Sequence, residues 1–163
     1  MTKKKIFFIG TGDIDESACI KEDNLALAVV NRLRQDYEVS TSYHLVHFEN
    51  AILQCLKSRE YDALITHVPL DPSAFEERMQ LPSLRTHIFK RLYNESLRII
   101  ARIRDKNPKL PIIAYTGSDM DSLLSDTEYV RQIIRKTGDV DTDTRTIKKA
   151  LEEVLNANPC SSG

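Results

Sequence analysis

Tryptophan is absent from this 163-residue chain, glycine occurs only five times, and no apolar stretch is long. The longest apolar runs, Ile6 to Ile9 and Leu110 to Ala114, fall far short of the roughly 20 residues that a membrane-spanning helix needs. Neither sign of charge is in excess: 23 basic residues face 24 acidic ones, for a formal net charge of −1. That balance gives no overall electrostatic footprint for nucleic acid or an anionic membrane surface. Cysteine supplies neither a disulfide framework nor a metal motif, because Cys19, Cys55 and Cys160 are odd in number and lack CxxC or Cys/His spacing. His44 and His47 lie three apart without a third ligand nearby. Lys3-Lys4-Lys5 is followed by only four apolar residues before Gly10, too few for a secretory signal. These absences point to a cytoplasmic protein with no membrane or nucleic-acid partner.

What remains is an ordinary globular composition, 41% hydrophobic and 29% charged, enough for one core. Residues 1–157 are read as a single domain, and 158–163, Asn-Pro-Cys-Ser-Ser-Gly, as a flexible tail. Lys5 to Ile9 is a continuous apolar run of the kind a strand buried on both faces shows. Leu25, Ala28, Val29 and Leu33 recur at helical spacing, and Tyr37 to Tyr43 then alternates as an edge strand does. A helix from Glu49 to Ser58, burying Ile52, Leu53, Cys55 and Leu56, leads to the strand Ala63 to Val68. An irregular region, Leu70 to Leu84, carries Pro72 and Pro82 as breakers. A long helix from Ile88 to Arg104 and the strand Leu110 to Tyr115 follow. Asp126 to Arg135 reads as a helix with Val130, Ile133 and Ile134 on one face, and Gly138 to Asp143 as a weak fifth strand. The chain closes with a helix from Thr144 to Asn156, with Thr144 as its cap. Alternation of strand and helix predicts an α/β fold: an open parallel sheet with helices on both faces. Ligands of such sheets sit outside the carboxyl ends of the strands.

Two segments resemble the receiver domains of response regulators. Tyr61-Asp62-Ala63-Leu64-Ile65-Thr66 is similar to that family's third-strand phrase, and Ile100 to Thr116 to its third helix and fourth strand. The resemblance implies a flavodoxin-like sheet of strand order 2-1-3-4-5. It also implies where chemistry would sit: an acidic pair after the first strand holding a divalent cation, an Asp acceptor ending the third, a hydroxyl after the fourth and a Lys after the fifth. Carboxylates hold Mg²⁺, while cation and Lys together offset phosphate charge.

Counted along these strands, Thr116 stands at the hydroxyl position, but His67 stands at the acceptor position and Gly10-Thr11 where the acidic pair would be. Beyond the expected fifth strand, Thr142-Asp143-Thr144-Arg145 offers no Lys. The expectation is a degenerate receiver, or pseudo-receiver: a two-component-type signal-transduction module, not an enzyme, acting by contact with a protein partner, with a homodimer implied by resemblance and no cofactor expected. Phe75, Met79 and Leu81 are candidates for a partner-contact loop. The alternative is a Mg²⁺-dependent phosphate- or nucleotide-binding or hydrolysing domain using Gly10, Gly12, Asp13 and Asp15. Arg85, His87, Lys90, Arg91, Arg98, Arg102 and Arg104 make the long helix basic, which suits either an anion face or a solvated one.

Overall fold

The computed structural model describes residues 2–10, 24–42, 49–67, 82–116 and 128–157, with side chains of the long helix described from Asn94 onward. Its elements in chain order are β1 (Lys5–Ile9), α1 (Asn24–Leu33), β2 (Glu38–Ser42), α2 (Glu49–Ser58), β3 (Ala63–His67), α3 (Pro82–Lys106), β4 (Ile112–Thr116), β5 (Gln132–Arg135) and α4 (Val140–Asn156). The strands form one parallel sheet of order β2-β1-β3-β4-β5, the expected arrangement.

Register follows from the apolar runs. Ile6 to Ile9 lie opposite Ala63 to Thr66, and Leu64 to His67 opposite Ile112 to Tyr115. The central strands are buried on both faces, so their side chains feed two separate cores. Phe7, Ile9, Leu64, Ile112 and Ala114 point to one, with Ile52 and Leu56 of α2 and Ile99, Ile100 and Ile103 of α3. Ile6, Phe8, Ala63, Ile65, Ile113 and Tyr115 point to the other, against Val29, Val30 and Leu33 of α1 and Ile147, Leu151 and Val154 of α4. Alternation along each strand thus distributes a continuous apolar run between two helical layers.

The "Tyr-Asp" pair before β3 serves the amino ends of the strands. The Asp62 carboxylate accepts the Lys5 N–H at 2.7 Å, and Asp62 N–H donates to the Lys5 carbonyl at 2.7 Å. Tyr61 packs edge-to-face on Phe7, with ring centroids 5.0 Å apart.

Three sequence expectations are corrected. The segment 132–135 is a strand, not part of a helix. Adjacent Ile133 and Ile134 serve opposite cores in the sheet, whereas a helix would have required both on one face. Second, 138–143 is not a weak strand. Gly138, at φ +89°, turns the chain, Asp139 caps α4, and the helix begins at Val140 rather than after Thr144. Third, Pro82 does not lie in an irregular region ahead of a helix starting at Ile88 but opens that helix, since its missing N–H is among those a first turn leaves unbonded anyway.

Candidate functional site

The carboxyl ends of β1, β3, β4 and β5 converge where ligands of parallel sheets bind. Gly10 follows β1, with φ +132°, a backbone conformation that side-chain-bearing residues rarely adopt. Its N–H donates to the Ser42 carbonyl at 2.8 Å, continuing the β1–β2 ladder. A Cβ built on Gly10 would lie 2.6 Å from the Cβ of His67. The two positions are therefore packed against each other, and a side chain at 10 has no room while any residue but glycine occupies 67.

His67, the last residue of β3, is half-buried. It lies opposite Tyr115 in the ladder, and its ring meets the Tyr115 ring nearly at right angles with centroids 6.5 Å apart. Thr116 ends β4 and is fully buried. The structure thus brings Gly10, His67 and Thr116 to one end of the sheet, as counting along the strands predicts. Gly12, Asp13, Asp15, Phe75, Met79, Leu81, Cys160 and the tail lie outside the described residues. Among the described residues, no group of three or more His, Cys, Asp or Glu side chains could hold a metal ion.

The misplaced fifth strand hid one component. With β5 ending at Arg135, the next residue is Lys136, so a Lys does follow the fifth strand. Its N–H donates to the Thr116 carbonyl at 2.7 Å. Its ammonium lies over the Tyr115 ring, 4.9 Å from the centroid, a cation–π contact.

Tyr115 is the fixed point of this end. Fully buried, it touches Phe8, His67 and Lys136, and its hydroxyl donates to the Asp143 carboxylate at 2.6 Å. Asp143 is only 1% exposed, although it lies in the first turn of α4. It also accepts the Thr137 N–H at 3.0 Å and the Thr137 hydroxyl at 2.6 Å. A buried carboxylate is tolerated only when its lone pairs are satisfied, and three donor groups do so here. Beside it, the Asp139 carboxylate is held below the usual carboxylate range, chiefly by hydrogen bonds from the Thr142 hydroxyl and N–H. No sequence motif marks this network; a tyrosine ending an apolar strand and an acid three residues after a polar helix start was the available signal.

The basic helix divides. Arg98 and Arg102 both engage Glu49 of α2. Burial pushes the Glu49 carboxyl upward, but the hydrogen bonds and charges of the two arginines outweigh it and hold the group below its ordinary value. Arg104 donates to the carbonyls of Pro108, Leu110 and Tyr129, tying α3 to the approach of β5. All three cations are engaged by partners within the fold. No helix among the described residues is long and apolar enough to cross a membrane.

No family model matches the sequence, and no curated protein matches it. Solved structures do. The signal receiver domain of an HD domain-containing protein from Pseudomonas fluorescens is 17% identical with a TM-score of 0.55, over 98% of this chain and 95% of that one. A CheY-like response regulator receiver domain protein from Methanospirillum hungatei is 14% identical with a TM-score of 0.56, over 96% and 99%. The response regulator TrrA from Thermotoga maritima, solved in complex with Mg²⁺-BeF, is 15% identical with a TM-score of 0.55, over 90% and 97%. At these identities the likeness establishes the fold: this chain has the CheY-like, flavodoxin-like fold found in receiver domains.

Proposed function

We propose that this chain is a receiver-like signalling module that works through protein contacts and does not use phosphorylation. The observation that carries the proposal is the Gly10–His67 pair. An aspartyl acceptor would stand where β3 ends in histidine, and a cation-holding acid where glycine follows β1 with its Cβ space already filled. Lys136, which follows β5, rests on the Tyr115 ring. Thr116 and Lys136 are thus the parts of the receiver-type site present at the described strand ends, and neither supplies the carboxylate that would accept the phosphoryl group or hold Mg²⁺. The proposed partner is a protein component of a signalling pathway in the cytoplasm, and a second copy of the chain is one form it can take.

The test is calorimetric titration of Mg²⁺ into the protein, with and without beryllofluoride as a phosphoryl mimic, paired with partner capture under the same two conditions. The expected result is no saturable heat and equal capture in both. Saturable binding abolished by Asp13→Asn or Asp15→Asn would overturn the proposal in favour of a metal-dependent phosphate site.

A further inference from the structure

The Tyr115–Asp143–Thr137 network joins the two ends of a short route. At one end are His67 and Lys136, both in contact with the Tyr115 ring at the carboxyl edge of the sheet. At the other is the first turn of α4, the helix that covers the sheet beside α1. The Asp143 carboxylate joins them. Oδ2 takes the Tyr115 hydroxyl at 2.6 Å, Oδ1 takes the Thr137 hydroxyl at 2.6 Å, and the Thr137 N–H is shared between Oδ1 at 3.0 Å and Oδ2 at 3.3 Å. Thr137 immediately follows Lys136, so the same carboxylate fixes both the ring beneath the Lys136 ammonium and the backbone that carries Lys136.

We propose that Asp143 is a latch that couples the strand-end surface at His67 and Lys136 to the first turn of α4, so that displacing Tyr115 at one end releases the turn at the other. A capping interaction alone would not need this arrangement. The helix already has an N-cap in Asp139, whose side chain accepts the Thr142 N–H at 3.0 Å. Asp143 instead turns inward, to a tyrosine on β4 that is 28 residues away in sequence. Because the carboxylate is buried, losing one donor is not made good by solvent, and the remaining partners must rearrange together. Rearrangement of the partners together is what transmitting an event at one end to the other requires. The inference deepens the proposed function: a partner seated against the strand ends would be read out at the α4 end, without chemistry at His67.

The test uses the full chain and no partner, so it stands apart from the Mg²⁺ and beryllofluoride titration. Three variants break the route at different places. Tyr115→Phe removes one donor. Asp143→Asn leaves a single acceptor oxygen where two are used. Thr137→Ala acts at an exposed residue and protects the experiment if a buried substitution fails to fold. Each is followed by NMR, through the His67 imidazole resonances and amide exchange at Thr137 and Asp143. The latch predicts that all three variants shift the His67 resonances and speed exchange at both amides by about ten-fold or more. It also predicts that Tyr115→Phe combined with Thr137→Ala changes His67 less than the sum of the single effects. Faster exchange at Thr137 with His67 unmoved in Thr137→Ala would reduce the network to local helix packing and overturn the inference. Full additivity in the double variant would overturn it as well.

Discussion

Replacing Gly10 by alanine separates two costs that the structure places on one atom. The first is conformational: φ of +132° lies where L-residues rarely go, and holding a non-glycine residue there costs on the order of 1–3 kcal/mol. The second is steric. The new Cβ would stand 2.6 Å from the Cβ of His67, and a Cβ moves only with its own backbone, unlike the tip of a flexible side chain. Relieving that overlap means separating β1 from β3 at their carboxyl ends, an overpacking effect of about 1–3 kcal/mol. The sum, about 2–6 kcal/mol, is a large part of the roughly 5–15 kcal/mol that holds a domain folded. Urea unfolding measures it, provided the slope of the transition is unchanged. The two costs are then resolved by repeating Gly10→Ala in a His67→Gly background. Removing the opposing Cβ abolishes the overlap and leaves the backbone term, so the alanine should cost about 1–3 kcal/mol less in that background. An equal cost in both backgrounds would refute the close-approach argument, and a cost near zero in the parent would refute both terms.

Two further outcomes follow from the same site and its surroundings. His67→Asp restores an acceptor carboxylate, yet the variant should still gain no phosphoryl group from acetyl phosphate and Mg²⁺, because Gly10 brings no acid beside it. Intact mass checks this, and an adduct would show that residues beyond the described strand ends supply the cation site. Glu49→Gln should remove a pH-dependent contribution to stability. The Glu49 carboxyl is held below its ordinary value in the folded protein by Arg98 and Arg102, so its contribution is present above the unfolded value, near 4.5, and is lost as pH falls through the lower folded value. The stability difference between parent and variant should therefore be flat above about pH 5.5 and shrink below about pH 4.5. With both arginines largely solvent-exposed, the plateau should be within about 1 kcal/mol, and a difference that grows on acidification would contradict the ion-pair assignment.

The strands that were readable from the sequence are those whose apolar runs are continuous, because burial on both faces leaves no competing pattern. Ile6 to Ile9, Ala63 to Ile65 and Ile112 to Tyr115 are of this kind, and counting along them puts Gly10, His67 and Thr116 at the carboxyl ends of β1, β3 and β4, where the structure has them. The fifth strand failed for the opposite reason. It is an edge of four residues with only Ile133 and Ile134 to mark it, and Val130, Ile133 and Ile134 happen to fit helical spacing equally well. That single error carried Lys136 out of the expected site. The start of α4 was missed because Asp139 and Asp143 look alike in a polar segment, yet one caps the helix in solvent and the other is buried against Tyr115. Burial of an acid is decided by a partner distant in sequence, which no local pattern records.

The central claim, that the strand-end site does not accept a phosphoryl group, is tested most directly by incubating the full chain with acetyl phosphate and Mg²⁺ and recording its intact mass. An unchanged mass is the predicted result. An increase of one phosphoryl group, located by peptide mapping to the strand-end site, would contradict the account.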